Sequence, residues 1–388
     1  MAITGSSESV VLLVRHGRGR GRLQAFGDGW LRRLARTRPE LRRRIHVHET
    51  GSQSLPQLAK VACVVFLLAD PVRELYPACY AEASAIAEKA KQRGIRLVNA
   101  PDALSNTIKS VQARLWTYAG IPCAPCQPFE SREALERLAN SATFPVIVRG
   151  DLLHAQQSTF VCRSPDEVRA LPMDQVAYPG QMVRFIDSRA SYLSAPLDSV
   201  FARYYHRCRT YVFGRHVVPG AIYFSTSPIV GSDTATWARY AGNGRFAEPL
   251  AWIRREDRQI VAADMAFANS SPLHPQLMRQ AANVLGLEFA GLDHVVLADG
   301  SVVFWEANPH FYIAPFRDTP LPIARHIWPR TRRIHDAIGM FLAELLDPRS
   351  GGDELGGSEA VTLTVAGGRT AGVRGTRGPP VRDREPIT

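Results

Sequence analysis

Gly291-Leu292-Asp293-His294-Val295-Val296-Leu297, the spacer Ala298-Asp299-Gly300-Ser301, and Val302-Val303-Phe304-Trp305-Glu306-Ala307-Asn308-Pro309 form the stretch on which the reading of this chain turns. Two apolar, β-branched runs joined by four residues containing Asp-Gly read as a β-hairpin. In antiparallel strands, Asp293 and Glu306 come near one another on one face, with Asn308 two positions further along that face. Two carboxylates and an amide oxygen make a hard, all-oxygen site suited to Mg²⁺, which takes its remaining ligands from water and substrate phosphates.

Upstream, Lys109-Ser110-Val111-Gln112 opens a helical stretch read over Leu104 to Ala119 and closed by Gly120-Ile121-Pro122. A helix beginning at Ser131 precedes a strand, Phe144-Pro145-Val146-Ile147-Val148-Arg149. Lys109 and Arg149, at the ends of successive elements, are two cations able to hold polyphosphate oxygens, the arginine bidentately. In Met182-Val183-Arg184-Phe185-Ile186-Asp187 a short apolar strand ends in a carboxylate. Such a strand can line an adenine with backbone groups while Asp187 holds ribose hydroxyls.

Strands are also expected at Thr210–Phe213, Val217–Pro219 and Ala221–Phe224, and helices at Leu273–Leu285 and about Arg332–Leu346. Toward the N-terminus, the runs Val10–Val14, Ile45–Val47, Val61–Leu68 and Ile95–Val98 alternate with helical stretches at Leu31–Arg44 and Tyr80–Arg93. That alternation predicts a small doubly wound parallel sheet. The break Asn99-Ala100-Pro101-Asp102 places a boundary, giving an N-terminal α/β domain over 1–101. A second domain follows over 102–348. Residues 349–388 hold clustered glycine, threonine, arginine and proline without an aromatic residue, and read as a disordered tail.

Taken in order, these segments resemble the ATP-grasp superfamily, closest to its glutathione synthase, D-alanine–D-alanine ligase and ribosomal-protein glutamate ligase branches. The resemblance runs from about Asp102 to Leu346. It is carried by Lys109 through Pro122, Phe144 to Arg149, Val183 to Asp187, Arg209-Thr210-Tyr211-Val212-Phe213-Gly214, Leu285-Gly286-Leu287, and the hairpin with its Asp…Glu-x-Asn. It implies an α/β domain followed by two α+β lobes that clasp ATP. Lys109 and Arg149 would contact phosphates, and Arg184, Phe185 and Ile186 the adenine, mainly through the backbone. Asp187 would hold the ribose, Asp293, Glu306 and Asn308 the magnesium, and Arg209 would lie by the γ-phosphate, with Arg209 and Glu306 in catalytic roles. The implied activity is an ATP- and Mg²⁺-dependent carboxylate–amine or carboxylate–thiol ligase. It would act through an acyl-phosphate on an amino acid, a peptide or another small carboxylate, and release ADP. Two departures from the family pattern stand out. Arg149 replaces the usual lysine, and the loop Gly150 to Ser158 carries one glycine and a Leu152-Leu153 pair where a glycine- and serine-rich phosphate loop is expected. The loop favours an alternative, a nucleotide-binding scaffold without turnover.

Composition sets the remaining bounds. The chain has 388 residues, 45% hydrophobic and 21% charged, with six cysteines. This excludes a disulfide-stapled miniprotein, a coiled coil and a mostly disordered chain. The longest apolar run, Val61 to Ala69, is far short of a hydrocarbon core of about 30 Å, and the first residues carry no secretory pattern. Together these predict a reduced, cytoplasmic protein with no membrane partner. Much of the net charge of +11 is concentrated in residues 15–44, which hold eleven arginines against Asp28 and Glu40. Without an accompanying nucleic-acid motif, that segment reads as a solvated helix face. Arg15-His16-Gly17 opens like a histidine phosphatase, a distant third reading because the residues after it lack the expected polar continuation. Cys123-Ala124-Pro125-Cys126 has no second cysteine pair and reads as fortuitous rather than a zinc or redox motif.

Overall fold

The computed structural model describes residues 8–17, 27–52, 54–154, 156–189, 203–231, 255–311, 313 and 321–347. The expected tail, 349–388, lies outside the described residues, as do Arg18, Arg20 and Arg22 of the basic segment.

Three four-stranded sheets organise the described residues. The first is parallel and built from β1 (Val10–Arg15), β2 (Ile45–Glu49), β3 (Val61–Leu67) and β4 (Arg96–Val98), in the order β2-β1-β3-β4. Its central strands are buried on both faces, which is why β1 and β3 read as continuous apolar runs rather than alternating ones. The basic stretch after β1 forms two helices, α1 (Asp28–Thr37) and α2 (Pro39–Arg43), divided where Pro39 starts the second. The short α3 (Val72–Leu75) and the long α4 (Pro77–Gln92) join β3 to β4.

The expected helix over 104–119 is two elements. A 3₁₀ turn, Pro101–Thr107, gives way at Ile108 to α5 (Lys109–Tyr118). The cause is tertiary: the Asp151 carboxylate accepts from the Ser110 amide at 2.7 Å and from its hydroxyl at 2.5 Å, capping a helix that starts at Lys109.

The second sheet is antiparallel, order β5-β8-β6-β7, from β5 (Cys126–Phe129), β6 (Val146–Gly150), β7 (Thr159–Cys162) and β8 (Gly180–Arg184). The helices α6 (Arg132–Ser141) and α7 (Pro165–Arg169) cover it, capped by Ser131 and Ser164. Phe129, Leu135, Val146, Val148, Val168 and Met182 make this lobe a small core of its own.

The third sheet is antiparallel, order β10-β9-β11-β12. It contains β9 (Tyr205–Phe213), β10 (His216–Ser225), and the hairpin strands β11 (Phe289–Val296) and β12 (Val302–Asn308). The two strands expected at 217–219 and 221–224 are one strand, with a register shift between Pro219 and Ala221. The helices α8 (Arg255–Asn269), α9 (Pro275–Asn283) and α10 (Leu321–Leu346) complete this half.

The first and third sheets share apolar cores. Val64, Phe66, Ile86 and Ala87 join Trp116, Val212, Leu285 and Phe304 in one cluster. On the other side, Val11, Val65 and Leu31 join Phe213, Phe289, Ile338 and Phe341. Among the described residues, no helix is long and apolar enough to cross a membrane.

Candidate active site

Register decides which side chains face one another. Asp293 pairs with Glu306 on one side and Arg209 on the other, and Gly291 pairs with Asn308. Opposed residues in antiparallel strands share a face, so Arg209, Asp293, Glu306 and Asn308 form a band across the third sheet. Asp293 is 1% exposed. Both its oxygens meet Arg209, Nε–Oδ1 and Nη2–Oδ2 each at 2.7 Å, and Arg207 Nη1 reaches Oδ2 at 3.2 Å. Burial disfavours the charged Arg209, but the Asp293 carboxylate more than reverses this and raises its pKa well above the usual value.

Glu306 gathers the other cations. Lys109 Nζ lies 3.3 Å and His154 Nδ1 3.7 Å from Oε1. Burial alone would raise the Glu306 pKa, yet Lys109, His154 and Arg149 hold it well below the usual carboxylate range. Lys109 is buried, and its ammonium also donates to the Leu153 carbonyl at 2.5 Å. His154 Nε2 meets the Asp70 carbonyl while Nδ1 faces Glu306, an arrangement that suits an imidazolium donating from both nitrogens. Burial opposes that charge, but Glu306 and Asp70 lift the His154 pKa to about 9. Asp70, in the loop leaving β3, is 3% exposed, and its Oδ2 has no hydrogen-bond partner among the described residues. Burial pushes its pKa up to about 6.

These positions follow from local structure. Lys109 and Gln112 are one turn apart on α5 and face the same way. The Gln112 amide donates to the Ala307 carbonyl at 3.3 Å and accepts from the Ala307 amide at 3.1 Å, so the helix is clamped to β12 beside Glu306. Arg149, at the end of β6, reaches the Trp305 carbonyl at 3.5 Å. With its amide oxygen turned to the guanidinium, Gln181 accepts from Arg149 Nη2 at 3.2 Å and Nε at 3.1 Å. The loop after Arg149 is tied down by Gly150, whose amide donates to Ser158, and Asp151, whose amide donates to Pro179.

Arg184, Phe185, Ile186 and Asp187 lie at the exit of β8. The Phe185 amide donates to the Pro145 carbonyl at 3.3 Å, and Arg184 is exposed. A cleft of about 530 Å³ opens here, bounded by Phe144, Pro145, Phe185, Asp187, Arg189 and Tyr205. Asp187 is paired with Arg189 at 2.6 Å, and that hydrogen bonding lowers its pKa.

For a hard cation, the donor set fits. Both ion contacts of Glu306 fall on Oε1, leaving Oε2, and Asn308 stands on the same face. A carboxylate has about four acceptor positions, so Asp293 keeps one beyond those taken by its arginines. Among the described residues, no three His, Cys, Asp or Glu side chains gather into a metal cage. The site therefore suits an ion that also draws ligands from a polyphosphate.

The structure gathers Lys109, Arg149, Arg209, Asp293, Glu306 and Asn308, with Phe185 and Asp187 lining the cleft at the exit of β8 and Arg184 and Ile186 outside its lining. It adds Asp70 and Arg207, which the sequence reading did not single out, and makes His154 an ion partner of Glu306. An aspartate closing a buried strand run, at Leu68-Ala69-Asp70, was the available signal for the first. His16 is 1% exposed, and its Nε2 accepts from the Ala69 amide at 2.8 Å, so the nitrogen a phosphatase would use is engaged. Cys123 and Cys126 are free thiols, and burial pushes Cys126 up to about 11.

No family model matches the sequence, and no curated protein matches it. Among solved structures, D-alanyl-alanine synthetase A from Vibrio cholerae is similar at 12% identity, over 88% of this chain and 98% of that one, with a TM-score of 0.50. An ATP-grasp RimK domain protein from Sphaerobacter thermophilus aligns at 13% identity over 86% and 100%, TM-score 0.48. The ATP-grasp ligase PsnB, complexed with a minimal precursor, aligns at 16% over 84% and 99%, TM-score 0.47. At such identities the likeness is one of architecture alone: this chain, with a parallel sheet followed by two antiparallel ones, is similar in fold to the D-alanyl-alanine synthetase.

Proposed function

We propose that this chain is an ATP- and Mg²⁺-dependent ligase that activates a substrate carboxylate by phosphoryl transfer and joins it to an amine or thiol. One observation carries the reading. Lys109, Arg149 and His154 converge on Glu306, and Arg207 and Arg209 converge on Asp293, along one band of a sheet beside an aromatic cleft. Five cations around two carboxylates suit a triphosphate whose charge is partly carried by a metal. The cleft at Phe185 and Tyr205 would take the adenine, with Asp187 turning from Arg189 to the ribose.

Asp293, Glu306 and Asn308 would hold Mg²⁺, which when bound supplies neutralising charge to the phosphate oxygens. Lys109 and Arg149 orient those oxygens. Arg209, fixed by two bonds to Asp293, presents a preorganised guanidinium where the reacting carboxylate and the transferred phosphoryl group meet. No side-chain nucleophile is needed, in keeping with a site of cations and carboxylates.

The loop 150–158 favours a second reading, nucleotide binding without turnover. Its Leu153 carbonyl occupies the Lys109 ammonium and its His154 occupies Glu306, so the loop must yield both before phosphates take them. ADP release that requires both an acid and an amine separates the two readings. The first test is thermal. Mg·ATP is expected to raise the melting temperature well beyond ATP with EDTA, because the metal joins the carboxylates to the triphosphate. Equal shifts would remove Asp293, Glu306 and Asn308 from the metal site.

A further inference from the structure

We propose that the arginines where α10 meets the β9–β10 half of the third sheet form an anion subsite for a second carboxylate of the acid substrate, making the substrate a polycarboxylic acid. The inference rests on the ligase reading and deepens it.

Strand order sets out the site from side to side. Glu306 is on β12, Asp293 on β11, Arg209 on β9, and beyond them lies β10 with Tyr223 opposite Arg207. The phosphate-facing cations are therefore on the β12 side, and the β10 side is left for the rest of the substrate. There the Arg207 guanidinium lies 5.0 Å from the Tyr223 ring centre. Arg330, from α10, is bonded to Asp264 at 2.7 Å and interacts with Tyr211 and Tyr223, as Arg209 does. Tyr223 thus carries the Arg207 guanidinium over its ring and lies within the electrostatic reach of Arg209 and Arg330.

Arg333 is one helical turn beyond Arg330. Its Nε and Nη2, and the Nε of Arg207, are shut off from solvent with no acceptor among the described residues. The charge acting on Arg333 is another cation: burial first, then Arg330, depresses its pKa. Asp293 is taken by Arg207 and Arg209, and Asp264 by Arg330 and the Ile222 amide. Buried donors left without acceptors are rare in folded proteins, and a ligand that brings the acceptor accounts for them. The planar fork of a guanidinium matches a carboxylate. A diacid with one carboxylate at Arg209 and the other toward Arg333 would use both.

The experiment measures melting of the full chain with Mg²⁺ and a non-hydrolysable ATP analogue present. Glutarate, butyrate, inorganic phosphate and sodium chloride are added at equal ionic strength. Glutarate is expected to stabilise the wild type more than any of the other three. Arg333→Gln is expected to melt above the wild type without additives, since it removes a partly buried cation with two unanswered donors. It should also lose the glutarate increment and keep the nucleotide shift, whereas Arg333→Lys should keep part of the increment. Equal shifts with glutarate and butyrate, an undiminished increment in Arg333→Gln, or a larger shift with phosphate would overturn the proposal. Loss of the Mg-nucleotide shift in the wild type would count against the ligase reading instead, and the glutarate comparison is read equally in its absence.

Discussion

Glu306 is the residue on which catalysis should be most sensitive. Glu306→Gln keeps the shape but removes the charge that draws Lys109, His154 and Arg149 together. Turnover is expected to fall by roughly two orders of magnitude or more, the scale of losing one preorganised electrostatic group, while nucleotide binding persists. Steady-state ADP release with the competent acid and amine, beside calorimetric ATP binding, checks this; wild-type turnover in the variant would discard the assigned role. His154 yields a prediction in pH. Its folded pKa of about 9 exceeds an unfolded value near 6.5, so its stabilisation is complete below the lower value and is lost as pH rises through the higher. Between pH 6.5 and 9 the wild type should therefore lose stability that His154→Gln does not, read from melting curves of both across that range. The residues of the hairpin were legible in the sequence because one strand pairing places all three oxygens on a face. His154 and Asp70 were not assignable to the Glu306 cluster, because 84 positions separate them and only the fold joins the loop after β3 to the loop after β6.

The α5–β12 clamp is the element whose integrity the site depends on. Gln112→Leu would leave the Ala307 amide and carbonyl buried and unanswered, each costing about 1–3 kcal/mol. It would also release the helix that carries Lys109. Both a lower denaturant midpoint and weaker ATP binding are expected, and a variant weakened in stability alone would show that Lys109 is positioned by other contacts. Elements were readable where burial is one-sided or complete: the parallel strands, the hairpin, and α6 with its Ser131 cap. The short strands β5 and β7 escaped because four residues at a sheet edge, mostly half exposed, leave no period to detect. The helix α8 escaped for another reason. Its Asp264 is 4% exposed and serves the Ile222 amide and Arg330, so a charge occupies the face where an apolar residue would mark a helix. The split at Ile108 depends on Asp151, more than forty residues away.

At the scale of the whole molecule, part of the basic segment is tied into the fold while Arg32, Arg36 and Arg43 stay exposed on α1 and α2. Arg15 is bonded to Asp28 and Glu49, Arg33 to Asp336 on α10, Arg42 to the Ile45 carbonyl, and Arg44 to that of Ser9. The parallel sheet followed from the alternation of patterns toward the N-terminus and the two lobes after it were expected from the family resemblance, but their unequal attachment was not, since it depends on which apolar faces meet. The first and third sheets share two clusters of buried side chains, with α10 against both, while the second sheet keeps its own core. Spin labels at Met173 and Met340 should change separation when Mg²⁺ and an ATP analogue bind, whereas labels at Lys91 and Asn269 should not. Pulsed dipolar spectroscopy reads both, and movement in the second pair would contradict a rigid union of those sheets. The polar ties of the second lobe, Asp151 to Ser110, Leu153 to Lys109 and His154 to Asp70 and Glu306, have a further consequence. A joint fastened by charge responds to ions where one fastened by packing does not. In the ligase reading the protein is a fixed anvil and one ionically latched jaw, and the polyanion it would receive competes for the fastenings of that latch.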